Sequence, residues 1–310
     1  MTKAPPTPKG FRDITPILAQ KRREVINKII AVLEEFKFVP IETPIVEFAE
    51  TLKGKYGEEE KLIYEFKDRG GRDLALRYDL TVPLARYVAT HHPTLPFRRY
   101  QVGEVFRGEN PQKGRWRQFT QLDADIVGST DLTEDAKVIA AALKAVKSVG
   151  LTDIVMTIND RQNFEGLSKE TVIALDKLDK IGDEGVIREM VEKNIKDAKL
   201  VLENIKNTKP TADLEKIFSN LTDLGVAKDE FQFVPTLARG LDYYTGAIFE
   251  LRTPQYGNLS LGAGGRYDNL IGMFLPAGAD KPAQAGAKNS LPAVGFSFGI
   301  DRLVDCLSNE

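Results

Sequence analysis

Three arginines crowd one short polar loop. Arg107 closes an extended stretch, residues 96–106, and Arg115 and Arg117 stand at the start of the next, residues 117–127. The intervening residues 108–114 read GENPQKG, glycine at both ends with a proline inside, which is the composition of a loop between antiparallel strands. Strands joined this way bring their cations to one place, as a polyphosphate or a nucleic-acid end would require. The chain has no GxxxxGK[ST] and no GxGxxG after a strand, so phosphate would have to meet arginines. Along the second stretch Arg117, Phe119, Gln121, Asp123 and Asp125 alternate with Leu122, Ala124 and Ile126, which puts the polar set on one face. Periodicity alone leaves two readings of that face open, a solvated site or a water-facing sheet surface with surface ion pairs.

The elements that must position these residues follow from pattern. Thr15-Pro16 followed by Leu18, Val25, Ile29, Val32, Leu33 and Phe36 predicts a long amphipathic helix. Short β-branched stretches over residues 38–47, a charged turn at residues 68–73, a helix over 131–149 and a strand over 154–158 come next. Between about 166 and 228 charges of both signs alternate with Leu, Ile and Val at helical spacing, which predicts an inserted helical unit. Strand-like sequence resumes at residues 231–249, 259–263 and 293–298, with a small-residue loop at 277–290. Gly262, Gly264 and Gly265 carry two readings, removal of side chains where a substrate approaches backbone or a bulge in the strand. Asp79 and Thr81, two apart, would share a face of a strand.

Composition narrows the function classes. At 310 residues the chain suits about two domains, and a net charge of -2 confines any nucleic-acid contact to a local basic patch. One cysteine, Cys306, excludes an internal disulfide or multi-cysteine metal site and fits a cytoplasmic setting. The sequence has no long apolar run of the kind that spans a membrane. The only histidines, His91 and His92, are adjacent, which rules out HExxH zinc chemistry; before Pro93 they read as surface residues.

Six segments occur in a telling order: Tyr78-Asp79-Leu80-Thr81, Phe106-Arg107-Gly108-Glu109, Arg115-Trp116-Arg117-Gln118-Phe119, residues 237–246 (LARGLDYYTG), Gly264-Gly265-Arg266-Tyr267-Asp268 and Gly299-Ile300-Asp301-Arg302-Leu303. Together they resemble the catalytic domain of the histidyl-tRNA synthetases, over nearly the whole chain from Gly10 to about Leu307. The likeness covers the three class II motifs and both histidine-specific segments. It implies an α+β class II synthetase core, a mostly antiparallel sheet flanked by helices with a small helical insertion. Residues 1–165 and 231–310 would form the core and 166–230 the insertion, with the family's C-terminal anticodon-binding domain absent.

The resemblance also implies roles. Arg107, Arg239 and Arg302 would be the catalytic cations, and Arg107, Glu109, Arg115 and Arg302 would bind ATP, which enters with Mg2+ as a substrate complex; the metal's protein ligands are left unassigned, and no tightly bound cofactor is expected. Asp79, Thr81 and Gln121 would hold the α-amino group of histidine, and Asp125, Tyr244 and Tyr267 would line its imidazole pocket. Arg239 and Tyr244 differ in parity, so Gly240 would have to break the extended geometry if both reach one pocket. Gln112, Lys113, Arg115 and Arg117 would grip the acceptor end of histidine tRNA. A homodimer built on the first helix and residues 40–44 is expected, with no membrane partner. Two other readings share the scaffold: the regulatory subunit of ATP phosphoribosyltransferase, and a synthetase-like domain that senses tRNA without chemistry. The retained arginines favour the enzyme.

Overall fold

The computed structural model describes residues 5–112, 114–239, 243–257, 259–275 and 290–308. The long first helix, α1 (Pro16–Glu35), has Thr15 at its N-cap and Pro16 in its first turn. Its buried stripe is Val25, Ile29, Val32 and Leu33, the spacing that turns one helical face toward a core. Next come β1 (Val39–Pro40), β2 (Val46–Phe48), the short α2 (Ala49–Leu52), the hairpin β3 (Glu65–Lys67) and β4 (Asp73–Leu76), and α3 (Thr81–His91). The charged turn at residues 68–73 joins β3 to β4, as its composition predicts. His91 and His92 are exposed at the end of α3.

The hairpin of β5 (Phe97–Phe106) and β6 (Gln118–Val127) is antiparallel over its whole length, from Phe97 opposite Val127 to Phe106 opposite Gln118. Then follow α4 (Leu132–Ser148), capped by the Asp131 carboxylate on the Thr133 N–H, and β7 (Val155–Asp160). Four helices fill the charged region: α5 (Lys169–Leu175), α6 (Leu178–Glu192), α7 (Ala198–Lys206) and α8 (Ala212–Asp223). The chain returns through β8 (Phe231–Phe233), β9 (Ala247–Arg252), β10 (Gly262–Arg266), β11 (Ala293–Gly299) and α9 (Ile300–Ser308). Most of the small-residue loop expected at 277–290 lies outside the described residues.

Among the described residues, eight strands make one sheet in the order β1-β5-β6-β11-β10-β9-β7-β8, and β2-β4-β3 make a small second one. The large sheet is antiparallel except where β1 joins β5 and β8 joins β7. One face is apolar: Leu122, Ala124 and Ile126 of β6 join Ile29 and Leu33 of α1, Ile139 and Leu143 of α4, Ile217 of α8 and Leu303 of α9 in one buried cluster. Each of these leucine and isoleucine side chains contributes roughly 1.5–3 kcal/mol by leaving water. α5, α6 and α7 form a separate cluster through Val172, Val186, Met190 and Leu202, while α8 packs on the main core. Asp79 and Thr81 depart from the strand reading. Thr81 opens α3, and the Asp79 Oδ1 accepts the Val82 N–H at 3.1 Å, because a carboxylate there satisfies an amide that the first helical turn leaves unpaired.

Candidate active site

The polar face of β6 is not a plain surface. Gln121, Asp123 and Asp125 are buried and line a cavity of about 390 Å3 on the side of the sheet opposite the apolar core. Asp79, Thr81, Arg107, Glu109, Arg115, Arg239, Tyr244, Tyr267 and Arg302 line the same cavity. Of the remaining expected site residues, Gln112 is bridged to Arg115 by paired backbone hydrogen bonds of 2.9 and 3.2 Å. Arg117 turns away, its Nε donating to the Glu109 carbonyl at 3.0 Å and its backbone N–H to Gly10. Lys113 lies outside the described residues, as does Gly240, on which the parity of Arg239 and Tyr244 was expected to turn.

Toward the hairpin turn the cavity is cationic. Arg107 lies 4.3 Å from the Tyr78 ring centroid and 5.0 Å from that of Phe119, with its Nε on the Tyr78 carbonyl at 3.2 Å. Two aromatic faces hold a guanidinium in place while leaving its charge unneutralised. Arg302, at the start of α9, donates to the carbonyls of Gly114 at 3.1 Å and Ser260 at 2.8 Å. Burial and the neighbouring Arg115 and Arg107 push its guanidinium below its ordinary value. Arg115 is paired with Glu109 at 3.1 Å. Such a cluster of mutually repelling cations is relieved by an anion of several charges.

Deeper along β6 the cavity turns acidic. Asp79 Oδ1 accepts Tyr56 Oη at 2.8 Å, while its Oδ2 has no hydrogen-bond partner, and burial raises its carboxyl above the usual range. Asp125 accepts the Tyr267 hydroxyl and faces Arg99 Nη2 at 2.7 Å. Burial likewise raises Asp125, against the pull of Arg99 and of the Tyr267 hydrogen bond. Gln121 donates to the Ser297 hydroxyl and keeps its Oε1 unpartnered. The rings of Tyr243 and Tyr244 lie 4.9 Å apart between centroids, tilted by 57°, and burial pushes the Tyr244 hydroxyl up to about 12. Of the three glycines singled out in the sequence, Gly262 and Gly264 line the cavity, while Gly265 sits behind Tyr244. A Cβ on Gly265 would lie 2.7 Å from the Tyr244 ring, and one on Gly295 would lie 1.8 Å from Asp125 Oδ1, so these two make room for site side chains.

The histidyl-tRNA synthetase family model matches residues 10–184 and 187–303. The chain belongs to that family. The histidine–tRNA ligase of Nanoarchaeum equitans is 42% identical over 311 residues, covering 96% of this chain and 73% of that protein. The Aeropyrum pernix ligase is 40% identical over 339 residues, covering 97% and 74%. Histidyl-tRNA synthetase from Nostoc sp. PCC 7120 superposes with a TM-score of 0.79 at 29% identity, over 98% of this chain and 75% of that one. A Bacillus halodurans protein described as an ATP phosphoribosyltransferase regulatory subunit/histidyl-tRNA synthetase gives 0.82 at 23% identity, over 100% of this chain and 85% of that one, a likeness of fold alone.

In this histidyl-tRNA synthetase family member, several residues in or behind the cavity wall have no role implied by the motifs. Arg99, on β5 and fully buried, faces Asp125 across the strand register. Its only sign in the sequence is a pair of arginines, Arg98-Arg99, inside an otherwise strand-like stretch. Glu250 on β9 carries Arg239 and Arg252, and Asp301 takes Arg12, Arg22 and the Thr120 N–H. Arg12 also lies over the Trp116 ring at 4.4 Å, tying the Gly10-Phe11-Arg12-Asp13 segment to the site. Arg252 is two residues from Glu250 on the same strand, but the contacts of Asp301 with Arg12, Arg22 and Thr120 join residues far apart in sequence and do not follow from local spacing. Among the described residues no cluster of three or more His, Cys, Asp or Glu is arranged to hold a metal. Among the described residues no helix is long and apolar enough to cross a membrane.

Proposed function

We propose that this chain joins the carboxylate of histidine to the α-phosphate of ATP, releasing pyrophosphate, and then passes the histidyl group from the adenylate to histidine tRNA. The observation that carries this reading is one cavity with a cationic region at the β5–β6 turn and an acidic region deeper along β6. A triphosphate suits the first, and an amino acid with an ammonium group and a proton-bearing ring suits the second.

In the reaction a carboxylate oxygen attacks phosphorus and the bond to the pyrophosphate oxygen breaks, so negative charge gathers where cations must already stand. Arg107, clamped between Tyr78 and Phe119, holds the α-phosphate, and Arg302 faces the γ-phosphate and adenine. Arg239, anchored by Glu250, supplies the cation beside the reacting carboxylate. Asp79, Thr81 and Gln121 take the ammonium group, and Asp125, Tyr244 and Tyr267 surround the imidazole. Magnesium enters as the ATP complex, carried largely by phosphate oxygens and water. Glu109 and Arg115 bind the nucleotide, and Gln112, Lys113, Arg115 and Arg117 grip the tRNA acceptor end. The enzyme works in the cytoplasm as a homodimer. Val39, Ile45, Val46 and Phe48, beside the 40–44 segment, are exposed apolar residues suited to the dimer face.

Histidine-dependent ATP–pyrophosphate exchange tests the reading, followed by charging of a histidine tRNA transcript in the same preparation. Exchange with histidine and with no other amino acid is the expected result. A chain that binds histidine without exchange would instead be a non-ligase relative.

A further inference from the structure

Asp123 has no role in the scheme above, yet it is 2% exposed and lines the same cavity one pleat from Asp125. Its Oδ2 lies 4.0 Å from Arg99 Nη2, and its Oδ1 has no hydrogen-bond partner. The charged and polar groups around it are Arg99 from β5, Asp125 from its own strand, Ser297 from β11, Asp79 and Arg77 from the segment before α3, and Tyr267 after β10. Two carboxylates thus draw on one fully buried guanidinium, which lies 2.7 Å from Asp125 and 4.0 Å from Asp123. A dry site does not hold two adjacent negative charges on one cation cheaply, so one carboxyl keeps its proton. Asp125 has the nearer cation and the Tyr267 hydroxyl and is the ionised member; Asp123 is the protonated one.

Neutral imidazole presents one N–H donor and one bare nitrogen acceptor, so a pocket that reads both needs an acceptor and a donor. We propose that Asp123 is a further specificity-determining residue of the histidine pocket, its carboxyl proton donated to the bare ring nitrogen while Asp125 accepts from the ring N–H. The proposal rests on the histidine-ligase reading. Burial pushes the Asp123 carboxyl up to about 7, against the pull of Arg99 and with the help of the Asp125 charge. Below that pH the donor is present. Above it an anion faces the ring nitrogen's lone pair, and histidine affinity falls.

The test is histidine-dependent ATP–pyrophosphate exchange between about pH 6 and 8.5, using both histidine and 1,2,4-triazolyl-3-alanine, whose ring stays neutral across the range. For the analogue the KM of the unaltered enzyme is flat on the acid side and rises several-fold above about pH 7. Asp123→Ala raises the histidine KM by about 10- to 100-fold, with a much smaller change in kcat and in the KM for ATP. Asp123→Asn, which retains a donor but cannot titrate, recovers most of that loss and removes the rise with pH. A pH-independent KM for the analogue in the unaltered enzyme overturns the proposal, and needs no variant to fold. So does an Asp123→Ala enzyme whose histidine KM is unchanged. Absence of exchange in the unaltered enzyme would instead strike the ligase reading itself.

Discussion

Arg239 is held against the carboxylate of Glu250. Glu250 also takes Arg252 at 3.0 Å, and Arg252 reaches Asp179 on α6 at 2.6 Å. A chain of alternating charges therefore runs from the cavity to the helices beyond β9. Glu250, together with Tyr244 and Asp176, outweighs the effect of burial on Arg239 and keeps its guanidinium charged.

Arg239→Ala is expected to lower the kcat of histidine-dependent ATP–pyrophosphate exchange by about 100-fold or more, the usual cost of removing one charge-stabilising donor. The histidine Kd changes far less, because the cation acts where charge develops and not on uniform binding. Steady-state exchange paired with equilibrium histidine binding separates the two. Equal losses in both would make Arg239 a binding residue.

Glu250 sets an acid limit on stability. Burial alone would raise its carboxyl, but Arg239 and Arg252 outweigh burial and hold it below the usual range. Its folded-state value therefore lies under its unfolded value of about 4.3, and the ionised form stabilises the fold above that pH. The contribution disappears as pH falls through the folded value. Denaturant unfolding across pH should show Glu250→Gln least stable relative to the unaltered chain at neutral pH, with the gap closing below about pH 4. A gap independent of pH would contradict this.

Gly295→Ala tests the seat of Asp125. Its Cβ would lie 1.8 Å from Asp125 Oδ1, so the carboxylate must shift away from Arg99 and Tyr267. The expected result is a rise of about tenfold or more in the histidine KM, since a displacement near 1 Å at a positioned group is costly. The KM for ATP should move little. An unchanged histidine KM would show that Asp125 does not set the pocket.

The dimer is tested at Phe48, half exposed on β2. Phe48→Glu should shift the sedimenting species from dimer toward monomer at about micromolar concentration, because a charge would have to be buried at the interface. A monomer in the unaltered chain at the same concentration would remove the homodimer from the reading.

Elements with strong periodicity were legible from sequence alone. The Thr15-Pro16 start and Val25-Ile29-Val32-Leu33 stripe of α1, the β5–β6 hairpin and the split of β6 into Gln121-Asp123-Asp125 and Leu122-Ala124-Ile126 all follow from local sterics and side-chain parity. The motif order also pointed to the family, because dense runs such as residues 237–246 rarely recur by chance. Tertiary structure decided what the polar face of β6 is: a cavity wall, because Arg99 arrives from β5, Tyr267 from the residue after β10 and Gly295 from β11. It also placed Asp79 as a helix-capping group and turned Arg117 toward the N-terminal segment. Local pattern carries no information on which distant carboxylate shares which buried cation. That is set by sheet order, β5-β6-β11-β10, and by the desolvation that makes each buried charge depend on partners as far away in sequence as Arg99 is from Asp125 or Asp301 from Arg12.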